Sequence, residues 1–256
     1  MTFSPALPRQ FALDLSHARQ AKLDNFLATG NTDLLNQLHA VKTSWLGNKI
    51  GANNPLNQRW IYWWGESGSG CTHLLKAMQS EAIELSLNTL FLEAQNPSHW
   101  IQAEENLTKW YEQTQANVIC IDDIEQLDER QQASLFRILN LIQASQASFI
   151  LMCGKTAPAN LKLREDLRTR IAWGLVYQLH TLSDQDKMAA LKQAAQDRGL
   201  VLSAEILEWL LKRFFRDMPS LMGLLDALDA YSLETKRAIT LPLVRELLQA
   251  PGKSAS

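Results

Sequence analysis

The sequence predicts an α/β fold, a parallel sheet flanked by helices, followed by a small all-helical lobe. Three observations predict it. A continuous apolar run at residues 60–64 (WIYWW) and strand-like runs at 89–92, 118–121 and 149–153 have the length of strands buried on both faces. Stretches with helical spacing separate them, at residues 73–85, 99–113 and 129–144. After Thr181 the strand-like runs stop and only helical patterns follow.

Taken in order, the first ~20 residues hold Pro5 and Pro8 without helical periodicity and read as a tail. Residues 33–41 read as a short helix. Residues 47–58 (GNKIGANNPLNQ) are rich in Gly, Asn and Pro and read as a surface loop. The alternating strands and helices come next, with a fifth strand expected at 176–179. Ser183 followed by Asp184, Gln185 and Asp186 is a capping-box arrangement, opening a helix that Gly199 ends. Three further helices are expected at 203–215, 220–231 and 241–248. The expected domains are a tail at 1–20, an α/β core at 21–181 and a helical lobe at 182–256.

Composition narrows the class. The chain has 256 residues, enough for one large domain and a satellite. It carries 25 Lys and Arg against 27 Asp and Glu, a formal charge of -2, which weighs against a dedicated nucleic-acid binder. No apolar run approaches the ~20 residues of a membrane helix, and the N-terminus has no secretory pattern. Cys71, Cys120 and Cys153 are odd in number and widely spaced, which disfavours a disulfide framework or a zinc site. The expectation is a cytoplasmic protein with reduced thiols and no membrane contact.

The most informative string is Gly65-Glu66-Ser67-Gly68-Ser69-Gly70-Cys71-Thr72. A P-loop reads G-x-x-x-x-G-K-[ST]. Its glycines let amide groups face phosphate oxygens, and the helix after it adds a positive end. Its Lys contacts the outer phosphates, and its Ser or Thr hydroxyl binds magnesium. The spacing of Gly65, Gly70 and Thr72 fits, and so does the strand-to-helix context. Cys71 stands where the Lys belongs. Losing that charge-assisted bond costs about 1.5–3 kcal/mol, or one to two decades of affinity. A second string, Val118-Ile119-Cys120-Ile121-Asp122-Asp123, ends a buried strand in two acids at the edge where α/β ligands sit. Asp122 is a candidate magnesium ligand and Asp123 a candidate for orienting water.

At these residues the chain resembles the ATPase module of the bacterial replication initiator DnaA, and more closely the Hda family of DnaA-related regulators. The markers run over about residues 23–248. They are Leu23-Asp24-Asn25-Phe26, the P-loop remnant, Ile121-Asp122-Asp123-Ile124, the string from Arg168 through Trp173-Gly174-Leu175, Arg198-Gly199 and Lys212-Arg213. The resemblance implies an AAA+ fold with a five-stranded parallel core and a helical lid. It implies that Arg170 is an arginine finger, which neutralises charge on the phosphoryl group of a neighbouring subunit's nucleotide and is worth ~10³–10⁵ in rate.

The sequence also departs from the family. Pro219 stands where the lid presents a sensor Arg, and Cys153-Gly154-Lys155 lacks the usual polar pair after the fourth strand. With Cys71, three contacts to the protein's own nucleotide are weakened, while Arg170 is kept. The expected cofactor is ADP or ATP with magnesium, held weakly by Gly65, Gly68, Gly70, Cys71, Thr72, Asp122 and Asp123.

In the tail, Gln10-Phe11-Ala12-Leu13-Asp14-Leu15 resembles the clamp-binding peptide of the Hda family, with Gln10 setting register and Phe11, Leu13 and Leu15 as apolar contacts. The resemblance therefore implies a negative regulator of replication initiation. It would bind the sliding clamp (the beta subunit of DNA polymerase III) and stimulate hydrolysis of DnaA-bound ATP. Homo-oligomers formed head to tail are compatible with the family. The alternative is an autonomous P-loop ATPase with a degenerate motif. A DNA-binding initiator is disfavoured. Residue 256 lies a few positions past the last expected helix, and residues 183–250 carry ten acidic and nine basic side chains.

Overall fold

The structure is a computed structural model and describes residues 21–46, 55–111, 117–145, 147–213, 218–235 and 238–249. The tail at 1–20, with Gln10, Phe11, Leu13 and Leu15, lies outside them. The chain divides into two compact units, with the boundary in sequence between Leu182 and Ser183.

In the larger unit, five strands form one sheet: β1 (Trp60–Gly65), β2 (Asn88–Glu93), β3 (Asn117–Asp122), β4 (Ser148–Gly154) and β5 (Leu175–Leu179). Their order is β2-β3-β4-β1-β5, and every neighbouring pair is parallel. The helices are α1 (Thr32–Trp45), α2 (Leu56–Arg59), α3 (Cys71–Glu84), α4 (Pro97–Tyr111), α5 (Glu129–Ala144) and α6 (Glu165–Ile171).

Strand side chains alternate between faces, so an unbroken apolar run must feed two cores. That is what β1 does. Ile61 and Trp63 join Val118, Cys120, Phe149 and Leu151 under α1 and α3, against Leu38, Leu74, Leu75 and Met78. Trp60 and Tyr62 join Ile119, Ile121, Ile150 and Met152 on the other face, against Trp100, Leu135, Ile138 and Leu167. The large aromatics of β1 are thus buried on opposite sides of the central part of the sheet, and Trp60, Tyr62 and Trp63 have no accessible surface.

Four expectations need adjustment. The first helix runs to Trp45, because Val41 and Trp45 continue its buried stripe. The predicted loop at 47–58 contains one helical turn, α2, which starts after Pro55 with its extended backbone. Its last residue, Arg59, is buried and donates to the Ser148 carbonyl at 2.6 Å, fixing the entry to β1 beside β4. The helix expected from residue 73 begins at Cys71, directly after the left-handed Gly70. Finally, β2 is not buried on both faces. It is an edge strand in which only Leu92 is fully covered.

Gly174 joins α6 to β5. A Cβ at this position would overlap the Trp60 carbonyl, so the backbone passes too close for any side chain. The neighbouring Trp173 ring lies 6.1 Å from that of Trp60. Packing between backbones therefore explains the Trp-Gly pair.

Helix α5 starts with a reciprocal cap. Asp128 accepts from Gln131 N–H at 2.8 Å, and the Gln131 side chain accepts from Asp128 N–H at 3.0 Å. Gln131 also donates to the Ala94 carbonyl at 2.7 Å. Asp128→Ala is expected to cost about 1 kcal/mol, measurable as a lower urea midpoint.

The smaller unit is all helical: α7 (Asp184–Asp197), α8 (Ala204–Arg213), α9 (Met218–Thr235) and α10 (Leu241–Gln249). Ser183 caps α7, accepting from Asp186 N–H at 3.1 Å, and Gly199 ends it at φ +71°. The side chain of Arg198 grips Asp226 of α9 at 2.8 and 3.0 Å. Leu191, Leu207, Leu210, Leu224, Leu225, Leu228 and Val244 form its core.

Candidate functional site

In a parallel sheet, ligands gather at the carboxyl edge of the strands. The segments following β1, β3 and β4 meet there. The loop after β1 keeps the shape of a phosphate cradle. Gly68 and Gly70 have φ of +84° and +98°. Nothing lies within 4 Å of a Cβ built on Gly68, so glycine is needed there for its backbone angle alone. At Gly70 a Cβ would come within 2.5 Å of the Phe26 ring, which covers the loop from the Leu23–Asn25 turn. Gly65 has no room for a Cβ either, because the Leu179 carbonyl and Ser69 Oγ crowd it. Helix α3 then presents its amino end to the loop.

Cys71 does not reach outward as a lysine would. Its Sγ lies 3.5 Å from Ser69 Oγ and 3.8 Å from the Gly154 carbonyl, turned toward the end of β4. Thr72 is exposed at the second position of α3. Across the edge, Asp122 is buried, and its Oδ1 accepts from Cys153 Sγ at 2.8 Å and from Asp123 N–H at 2.9 Å. Burial pushes the Cys153 thiol up, keeping it a donor to that carboxylate. Asp123 takes a left-handed backbone, φ +50°. Burial, then the nearby charges of Asp122 and Glu125, raise its carboxyl above the usual range. Lys155, just after β4, faces the segment after β3, 3.3 Å from Glu125 Oε1 and 4.0 Å from Asp123 Oδ1. The edge therefore offers amide donors suited to phosphate, and hard oxygen donors at Thr72 and Asp122 suited to magnesium.

Asn31 fastens this region to β5. It donates to the His180 carbonyl at 3.0 Å and accepts from His180 N–H at 2.8 Å. The start of α1 is thus tied to the end of β5, beside Gly65.

Arg170 lies elsewhere. It sits in the last turn of α6, and its guanidinium donates to Asn140 Oδ1 of α5 at 2.5 Å. It stacks on Phe136 at 4.3 Å and on Trp173 at 4.9 Å. With Arg164, Glu165, Asp166, Thr169 and Trp173 it lines a shallow cavity of about 680 Å³. Trp173 also packs on Trp60, the first residue of β1, whereas the cradle follows Gly65, its last residue. At ~3.3 Å per residue, the two ends of β1 are about 16 Å apart. Arg170 and the cradle therefore occupy opposite ends of one strand.

The structure brings Gly65, Gly68, Gly70, Cys71, Thr72, Asp122 and Asp123 to one edge and leaves Arg170 away from it. Sequence reasoning missed Phe26 as a cover for the loop, Asn140 and Phe136 as the seat of Arg170, and Glu125 as the partner of Lys155. Only Phe26 lay within a marker string. In the lobe, Pro219 is the second residue of α9, where the missing N–H of a proline is tolerated.

Comparison with known proteins identifies the lineage. Residues 19–178 match the model of the bacterial DnaA ATPase domain, and residues 184–248 match the model of the Hda lid domain. A Haemophilus influenzae protein described as uncharacterized is 32% identical over 244 residues, 94% of this chain and 98% of its own. Among solved structures, domain III of the Thermotoga maritima replication initiation protein DnaA aligns with a TM-score of 0.62 at 20% identity, covering 90% of this chain and 96% of that one. The AMPPCP-bound DnaA of Aquifex aeolicus aligns at 0.63 and 19%, covering 84% and 67%. The sheet order, the loop geometry and the helical lobe agree with that ancestry, and the chain belongs to the DnaA-related family of AAA+ proteins, with a lid of the Hda type.

Proposed function

We propose that this protein regulates replication initiation negatively, by stimulating hydrolysis of ATP bound to DnaA. Arg170 serves as an arginine finger in trans, and the sliding clamp tethers the protein through Gln10, Phe11, Leu13 and Leu15. One observation carries this reading: Arg170 is built rigidly onto α6 at the end of β1 opposite the protein's own cradle. A guanidinium so placed serves no phosphate bound after Gly65. It is half-exposed beside a cavity and pre-aimed, so little side-chain entropy is lost when it meets a neighbour's phosphoryl group.

The protein's own edge has a different task. An adenine nucleotide would lie on the amides of the Gly65–Thr72 loop, and magnesium would be held by the Thr72 hydroxyl and the Asp122 carboxylate. The metal supplies charge neutralisation to the phosphates when bound. Without a lysine at position 71, this edge is suited to holding nucleotide rather than turning it over, so the chain is not an autonomous ATPase. The AMPPCP-bound initiator from Aquifex aeolicus supports nucleotide occupancy by the shared fold.

Clamp capture tests the tether. Immobilised sliding clamp is expected to retain the full chain and to lose it when residues 10–15 are deleted. Equal retention of the deleted protein would refute the tail assignment and leave recruitment to another surface.

A further inference from the structure

Lys155 stands at the same sheet edge, directly after β4. It follows Gly154, whose carbonyl lies 3.8 Å from Cys71 Sγ. Gly154 also pairs in register with Trp64, the residue before the first glycine of the cradle. The root of Lys155 is fixed, because its N–H donates to Glu125 Oε2 at 3.2 Å. Its ammonium lies 3.3 Å from Glu125 Oε1 and 4.0 Å from Asp123 Oδ1, with the side chain 52% exposed. Asp122, Asp123 and Glu125 would otherwise present three carboxylates to any incoming polyphosphate.

We propose that Lys155 supplies to the phosphates of a bound nucleoside di- or triphosphate the positive charge that Cys71 cannot. The inference rests on the reading of the Gly65–Thr72 loop as a phosphate cradle. A lysine ammonium has three donors on a flexible four-carbon stem. It can keep Glu125 as one partner and turn another donor toward a phosphate oxygen. The cation has moved from the first residue of α3 to the residue after β4, one of the segments that border the same edge. Cys71 is then free to pack inward against Ser69 and Gly154, as observed. A lysine making only a surface ion pair would contribute little to stability and nothing to nucleotide affinity.

The test is titration of the full chain with fluorescently labelled ADP and magnesium, followed by anisotropy. Lys155→Ala is expected to weaken binding about 10- to 100-fold, the value of one charge-assisted bond. Lys155→Arg should retain most of the affinity. The decisive variant is Cys71→Lys, which restores the P-loop cation. In that background Lys155→Ala should cost far less, because two groups doing the same work are not additive. The proposal is overturned if Lys155→Ala binds as the unmodified chain does, or if it loses the same factor in both backgrounds. Binding by Cys71→Lys but not by the unmodified chain would also overturn it, while sparing the cradle. Binding by neither would remove the cradle reading itself.

Discussion

Arg170→Ala is expected to reduce stimulation of DnaA-bound ATP hydrolysis by at least ~10³-fold, the lower end of what a finger delivered in trans contributes. The side chain is half-exposed, and among the described residues it makes one hydrogen bond and rests on two ring faces, so the fold should be unaffected. Unchanged circular dichroism and an unchanged thermal midpoint would separate this loss from unfolding. Asn140→Ala should fall between, by ~10–100-fold, because it frees the guanidinium without removing it. If Arg170→Ala stimulated as well as the unmodified protein, the finger assignment would be wrong.

The second large effect is on stability. Gly174→Ala forces a methyl group into the Trp60 carbonyl, and the obstacle is backbone inside the sheet. Relief requires β5 to shift from β1 or the α6 turn to unwind. Overpacking of this kind costs about 3 kcal/mol or more, a large share of a ~5–15 kcal/mol total. The expected drop in the melting temperature is roughly 6–12 °C for a domain of this size. The same shift would move Trp173 and with it one wall of the Arg170 seat. A melting temperature within a degree of the unmodified protein's would show that the turn has slack that the backbone contact denies.

Much of the fold was legible because its signals are local. The runs at 60–64, 118–121 and 149–153 are apolar at every position, the pattern that burial of a strand on both faces requires. Residues 89–92 looked similar but form an edge, since pairing order is a long-range property that no window of residues carries. The turn after Pro55 was hidden for a related reason. It is held by the contact from Arg59 to Ser148, 89 positions away.

The candidate site divides in the same way. The cradle was readable from glycine spacing, because the required backbone angles leave few other residues possible. The seat of Arg170 was not. Asn140 and Phe136 lie on the polar and half-buried side of α5, where one helix residue reads much like the next. Their function comes from α6 lying alongside α5. In sequence Lys155 is only a departure from the family pattern, and its pairing with Glu125 and Asp123 becomes visible only once the ends of β3 and β4 are side by side.

On the proposed function, this chain acts on a nucleotide held by DnaA and not on its own. The most direct measurement follows radiolabelled ATP in two reactions, one with the chain alone and one with the chain in substoichiometric amount over ATP-loaded DnaA and DNA-loaded clamp. The expected result is negligible hydrolysis in the first, and in the second a conversion of DnaA-bound ATP to ADP that exceeds the amount of chain added and disappears with Arg170→Ala. Hydrolysis by the chain alone at the rate of the mixture, unaffected by Arg170→Ala, would contradict it.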